Sequence, residues 1–226
     1  MNGYKLDWAY LKYLAGQAKL AYELPCDFKA GGVEVRVEED DHENLVMSFR
    51  GTTFDGTDIV KDIRAIPWYS RELGGWYHKG FLGGARAILP VLVDFLAQYD
   101  LRDRNDKLVE RAHYILDGHS KGGAEATIVA ALMVRLGRPP KALVTYGAPY
   151  AGDDSLREWL KDIDGHRVVN HHDPVPHVPW LLARLGVFDH HRGETAIYSG
   201  LNSIWSDPRN HQITRYIDAL GYRPDG

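Results

Sequence analysis

The stretch "LDGHSKGGAEA", residues 116–126, places Ser120 between Gly118 and Gly122 in the pattern Gly-x-Ser-x-Gly. Three such fixed positions recur by chance in about one chain in ten to twenty of this size, so the flanking residues decide the reading. On the N-terminal side, "HYIL" at 113–116 has the apolar character of a buried strand. On the C-terminal side, "KGGAEATIVAALMVRLG" at 121–137 is rich in small and helix-forming residues. A strand, a sharp turn and a helix with serine at the turn is the setting of a nucleophile elbow. Gly118 and Gly122 remove Cβ atoms where strand and helix approach, so Ser120 is free to take a strained conformation at the positive end of a helix. The Lys121 backbone N–H then points toward the oxyanion that forms when the serine attacks a carbonyl.

Outward from this turn, the chain reads as a mostly parallel sheet with crossover helices. Apolar residues at Trp8, Leu11, Leu14, Ala15, Ala18 and Ala21 predict a helix within 6–22. "VEVRV" at 33–37 and "NLVMSFRG" at 44–51 predict a hairpin, joined by "EEDDHEN", which reads as a solvated turn. A helix is expected over 81–99, and further strands in "KALVTYGAP" and "HRVVNHHDPVP", each ending in a polar loop. In such sheets functional groups gather at the carboxyl ends of the strands. The expected fold is α/β with a mostly parallel central sheet flanked by helices, one domain over 1–226.

A serine hydroxyl needs a base, and the base an orienting acid. If the elbow belongs to an α/β-hydrolase, acid and base follow the serine in the order Asp or Glu, then His. Asp173 sits at the end of a predicted strand in "VVNHHDPVPHVP", with Pro174 stopping further ladder pairing. His177, His190, His191 and His211 lie downstream. His211 is the strongest candidate, because it follows the turn-forming "WSDPRN" and opens "HQITRYIDAL", an amphipathic helix able to anchor its loop. His190 and His191 read as structural, and His119 as a packing residue.

Composition agrees with a folded soluble protein and argues against other classes. Hydrophobic residues form 44% of the 226 and charged residues 26%, the balance of a globular chain. A net charge of -4 with scattered Lys and Arg gives no basic patch, so no nucleic-acid partner is expected. Cys26 stands alone, which rules out an internal disulfide and reads as a small buried side chain. "MNGYKLDWAY" lacks the apolar run of a secretory signal, and no later segment reads as a membrane span. The expected chain is soluble, cytoplasmic or released without an encoded signal peptide. No cofactor and no metal is called for.

Seven ordered motifs carry a more specific signal. "FRGTT" (49–53), "YHKGF" (77–81), "GHSKGG" (118–123), "TYGAPYAGD" (145–153), "HHDPVPHVP" (171–179), "DHHRGETAIY" (189–198) and "HQITRY" (211–216) together resemble the class 3 lipases, the fungal triacylglycerol lipase-like branch of the α/β-hydrolases. The resemblance implies a Ser120, Asp173, His211 triad, with a second oxyanion donor from Thr52 opposite the Lys121 N–H. It assigns Asp62 a supporting role after the lid-bearing loop, and Arg50 and His78 structural ones. Lys121 stands where many relatives carry an apolar residue, and Asn210 where aspartate is common. The segment between Thr52 and His78 is the expected lid, compact and mixed in polarity.

The function expected is a lipase or esterase that cleaves acyl esters through an acyl-enzyme. Its partners are a small-molecule or lipid ester and, transiently, a lipid interface. Ile66, Trp68, Trp180, Leu181 and Leu182 are candidate substrate contacts, with core packing the competing reading. Two alternatives stand beside it. One is a non-catalytic binding protein on the same fold. The other is a metal-dependent hydrolase built on His171, His172, Asp173 and His177, although adjacent strand residues face opposite sides and share one ion poorly.

Overall fold

A computed structural model of the chain describes residues 6–52, 66–102, 108–110, 112–198 and 208–221. In chain order the first elements are α1 (Trp8–Glu23), β1 (Phe28–Ala30), β2 (Val33–Glu39), β3 (Leu45–Phe49), β4 (Pro67–Ser70), β5 (Gly75–His78) and α2 (Lys79–Ala97). There follow β6 (Leu101–Arg102), β7 (Leu108–Glu110), β8 (Tyr114–His119), α3 (Lys121–Arg135), β9 (Ala142–Tyr146) and α4 (Ser155–Leu160). The last are β10 (Asp164–Asn170), α5 (Trp180–Arg184), β11 (Glu194–Ile197) and α6 (Ile213–Gly221), with single 3-10 turns at Val175–His177 and Pro208–His211.

Strands β3, β8 and β9 are buried at every position, as expected of interior strands covered on both faces. They lie at the centre of a seven-stranded sheet of order β1-β2-β3-β8-β9-β10-β11. The β1–β2 and β2–β3 pairs are antiparallel, and every pair from β3 to β11 is parallel.

Period-two alternation divides the core between the two faces of the sheet. Val46, Ile115, Val144, Tyr146 and Val168 meet α1 and α6 on one face. Met47, Phe49, Leu116 and Leu143 meet α2 and α3 on the other. Each fully buried aliphatic or aromatic side chain contributes about 1.5–3 kcal/mol, so the central strands hold the site-bearing ends in place from both sides.

Several details differ from the sequence expectation. Helix α2 runs 19 residues and is long and apolar enough, by length and composition alone, to cross a membrane. It is a core helix, with Phe81, Leu82, Ala85, Ile88, Leu92 and Leu96 turned inward. The acidic turn is not wholly solvated, since Asp40 is buried and accepts the amides of His42 and Asn44, each at 2.8 Å. Burial pushes its carboxyl up, but donors from Tyr10 and Asn44 outweigh this and hold it below the usual range. Cys26 is half-buried rather than buried, its thiol facing the Ala21 carbonyl. Strand β1 and the β4–β5 hairpin were not expected, being short stretches with little alternation.

Candidate active site

The elbow forms at the junction of β8 and α3. Ser120 has φ 59° and ψ −132°, a region that costs a non-glycine residue about 1–3 kcal/mol. The surrounding backbone holds it there, as the Ser120 amide donates to the Tyr146 carbonyl at 2.9 Å. A Cβ on Gly122 would lie 2.1 Å from the Phe49 carbonyl oxygen. A Cβ on Gly118 would lie 2.7 Å from the Gly122 carbonyl carbon, the close strand–helix approach expected from the sequence, and Gly122 in addition lets α3 press on the end of β3. That contact brings Arg50 and Gly51 against the elbow, where a Cβ on Gly51 would lie 2.7 Å from the His119 carbonyl oxygen, and Thr52 follows in sequence.

The Lys121 side chain turns away from the serine. Its Nζ donates to the Gly32 carbonyl at 3.0 Å and pairs with Glu125 Oε1 at 3.0 Å. Glu125 is buried in α3, and burial raises its carboxyl to about 7 against the opposing pull of Lys121. The cation is thus absorbed one helical turn below the site, and the Lys121 backbone N–H remains at the helix start.

Asp173 follows β10 and is 1% exposed. Its Oδ1 accepts the Val175 amide at 2.9 Å, which closes the turn at Pro174. Its Oδ2 accepts two donors, His211 Nδ1 at 2.7 Å and the Tyr216 hydroxyl at 2.5 Å. Burial and the Asp173 charge together raise the Tyr216 phenol well above its ordinary value, so it stays a donor. His211 closes the 3-10 turn ahead of α6 instead of opening the helix itself. Asn170 secures that turn by donating from Nδ2 to the Asn210 carbonyl at 3.0 Å. Gly147, with φ 58°, passes beneath the pair, and a Cβ there would lie 2.7 Å from Asp173 Oδ2 and 3.1 Å from His211 Nδ1.

Ser120 Oγ and His211 Nε2 are both buried without a hydrogen-bond partner among the described residues. The acid–base contact is closed, while no hydrogen bond joins the nucleophile to the base, a looseness common in substrate-free sites.

The other candidates fall into place around this centre. Arg50 bonds the Ala21 and Leu24 carbonyls and Glu34, fastening the end of α1 to the end of β3. His78 caps α2 by accepting the Phe81 amide at 3.3 Å. His190 donates to the Pro176 carbonyl at 2.8 Å and stacks on Tyr150. Burial, reinforced by Arg167, lowers its pKa to about 3. Among the described residues no three His, Cys, Asp or Glu side chains gather to hold a metal. His171 and His177 are exposed, whereas Asp173 points inward. Ile66, Trp68, Trp180 and Leu181 are exposed, and Leu182 is half-buried. Asp62 and much of the expected lid lie outside the described residues. Sequence reasoning missed Tyr216, Gly147 and Asn170. Tyr216 lies in the amphipathic stretch "HQITRYIDAL", five residues after His211, where helical spacing marks its ring as apolar surface and gives no sign that its hydroxyl reaches Asp173.

Comparison with known proteins agrees with the fold. Residues 46–182 match the family model described as Lipase (class 3). The chain is 33% identical over 127 residues to Toxin TseL of Vibrio cholerae serotype O1, covering 54% of this chain and 18% of that protein. It is 40% identical over 71 residues to secreted mono- and diacylglycerol lipase 1 of Fusarium solani, covering 30% of this chain and 21% of that one. The matched part is therefore about a fifth of the length of these curated relatives. Among solved structures, the Rhizomucor miehei lipase in its propeptide complex superposes with a TM-score of 0.65 at 22% identity, over 87% of this chain and 69% of that one. The Rhizopus microsporus var. chinensis lipase gives 0.65 at 22%, over 90% and 78%. With the family model covering most of the central sheet and the lipases sharing its architecture, the chain belongs to the class 3 lipase family and has the α/β-hydrolase fold.

Proposed function

We propose that this protein is a serine carboxylester hydrolase acting on acyl esters of lipids, with residues 1–226 as one catalytic domain. The observation that carries the reading is the buried Asp173–His211 hydrogen bond of 2.7 Å beside a strained Ser120, with Ser120 Oγ and His211 Nε2 each without a hydrogen-bond partner among the described residues. His211 Nε2 takes the Ser120 proton as Oγ attacks the ester carbonyl carbon, and the carbonyl π electrons move onto oxygen. The Thr52 and Lys121 amides receive that oxyanion, each contributing about 3 kcal/mol to the transition state. The imidazolium, stabilised by Asp173, returns its proton to the departing alcohol and leaves an acyl-serine. Water then attacks with His211 as base, and the acid is released.

The substrate class follows from the family and from the names of the similar proteins, one a mono- and diacylglycerol lipase. Exposed Ile66, Trp68, Trp180 and Leu181 supply apolar surface for transient contact with a lipid interface. The test is p-nitrophenyl ester hydrolysis from acetate to palmitate, run beside Ser120→Ala. Turnover that disappears in the variant supports the serine mechanism, and the chain-length profile separates esterase from lipase. Turnover that persists in the variant contradicts it.

A further inference from the structure

His119, next to the nucleophile, does more than fill space. Its Nε2 lies 2.6 Å from the His211 carbonyl oxygen and its Nδ1 lies 2.9 Å from the Tyr22 hydroxyl. Its ring faces the His211 ring at 4.5 Å between centroids. A carbonyl only accepts, so Nε2 carries the proton and Nδ1 is the acceptor. Tyr22 therefore donates its hydroxyl proton to Nδ1. The Gly51 backbone amide lies against the Tyr22 oxygen, where it opposes the larger upward push of burial on the phenol. Gly51 is packed so closely that a Cβ there would lie 2.0 Å from that hydroxyl.

We propose that Tyr22 and His119 are positioning residues, a hydrogen-bonded brace that fixes the base loop relative to the nucleophile and the oxyanion strand. The chain of donors runs from Tyr22 O–H to His119 Nδ1 and from His119 Nε2–H to the His211 carbonyl, with Gly51 packed directly against the Tyr22 hydroxyl. Its three anchor points each adjoin or contain a group of the proposed machinery: Gly51 precedes Thr52, His119 precedes Ser120, and His211 is the base. The brace rests on the serine-hydrolase reading for its catalytic consequence, though its hydrogen bonds stand independently of it.

The arrangement has one protonation state. Burial, and secondarily the His211 charge, keep His119 neutral far below its ordinary titration range. When His211 gains a proton during turnover, its neighbouring ring neither competes for that proton nor adds a second charge. It continues to hold the His211 backbone, on which the direction of the unpartnered Nε2 depends. An error of about 1 Å in such a group costs on the order of 100-fold in rate.

Three variants separate the brace from simple packing. His119→Phe keeps a ring without either hydrogen bond, His119→Gln keeps an N–H near the Nε2 position, and Tyr22→Phe removes one hydroxyl. On p-nitrophenyl butyrate, His119→Phe should lower kcat about 30-fold or more with KM little changed, whereas His119→Gln retains most of the rate. Because the groups act in series, Tyr22→Phe should add nothing to His119→Phe. Nitrogen-15 NMR of labelled histidine should show His119 as the neutral Nε2–H tautomer from pH 5 to 8, with that signal altered in Tyr22→Phe. Equal kcat in His119→Phe and the unmutated protein, equal losses in the Phe and Gln variants, additive losses, or an Nδ1–H tautomer would each overturn the brace. Failure of the functional reading looks different: the unmutated protein turns over no ester, while the tautomer measurement still decides the brace.

Discussion

The acid–base side of the site and the nucleophile side are built by different means. Asp173 is held by three donors, from Val175, His211 and Tyr216, while Asn170 and His119 bond the carbonyls of Asn210 and His211. Ser120 is placed by backbone geometry, through its positive φ, its amide on Tyr146 and the pressure of Gly122 against β3. A hydrogen-bonded side tolerates isosteric changes that keep its donors. A side set by backbone contact tolerates almost no added volume. The difference teaches that the same proposed reaction should fail in two distinguishable ways, by loss of rate in an intact fold or by loss of the fold that shapes the elbow.

The largest effect should come from Asp173→Asn, which keeps the shape but offers His211 the wrong partner. A fall in kcat of about 10⁴-fold is expected, with the thermal midpoint little changed, checked by ester turnover and melting. A mild loss of rate would remove the distinction drawn between the two sides. Gly122→Ala should act on the other side, because its new Cβ would meet the Phe49 carbonyl at 2.1 Å. A destabilisation of about 3 kcal/mol is expected, which lowers the midpoint by roughly 6–12 °C for a chain of this length. An unchanged midpoint would show that the β3–α3 approach is not tight.

Asp117 sharpens the contrast, since it lies on β8 three residues before Ser120, fully buried and paired in register with Ser48. Burial raises its carboxyl to about 8, against smaller opposing pulls from Ser48 and Arg36. In the unfolded chain it titrates near its ordinary value of about 3.9. The folded state therefore binds the proton more tightly, and stability is full below about pH 4 and falls as pH rises toward 8, by about 1.4 kcal/mol per pH unit. Asp117→Asn should remove that slope in denaturant titrations between pH 4 and 8, and an identical slope in both proteins would refute the assignment. The smallest effect should come from Tyr216→Phe, which leaves Asp173 with His211 and the Val175 amide. The expected loss is about tenfold in kcat, in line with one hydrogen bond to a charged group. A loss as large as that of Asp173→Asn would mean that Tyr216, and not His211, is the partner Asp173 mainly serves.

Much of this architecture was legible in local pattern. The largely apolar runs at 45–49, 114–116 and 142–146 marked strands, and the glycines around Ser120 marked the sharp turn. The sequence reading also named Asp173 and His211 as partners, and they lie 2.7 Å apart. What it could not supply were contacts between segments remote along the chain. Tyr22 and His119 are 97 residues apart, and only the packing of α1 on the sheet brings them together. The destination of the Lys121 side chain likewise depended on the β1–β2 turn at Gly32, where local sequence holds no sign of a cation's partner. β1, three residues long and half-exposed, lacked the alternation that identifies longer strands.

The central claim is that Ser120 is the nucleophile and that Asp173 and His211 activate it. The most direct measurement is the labelling rate with a fluorophosphonate, with the modified residue located by peptide mass spectrometry, in the unmutated protein, Ser120→Ala and Asp173→Asn. The account predicts one adduct on Ser120, none in Ser120→Ala, and labelling slowed by orders of magnitude in Asp173→Asn. An adduct on another residue, or equal rates in the unmutated and Asp173→Asn proteins, would contradict it.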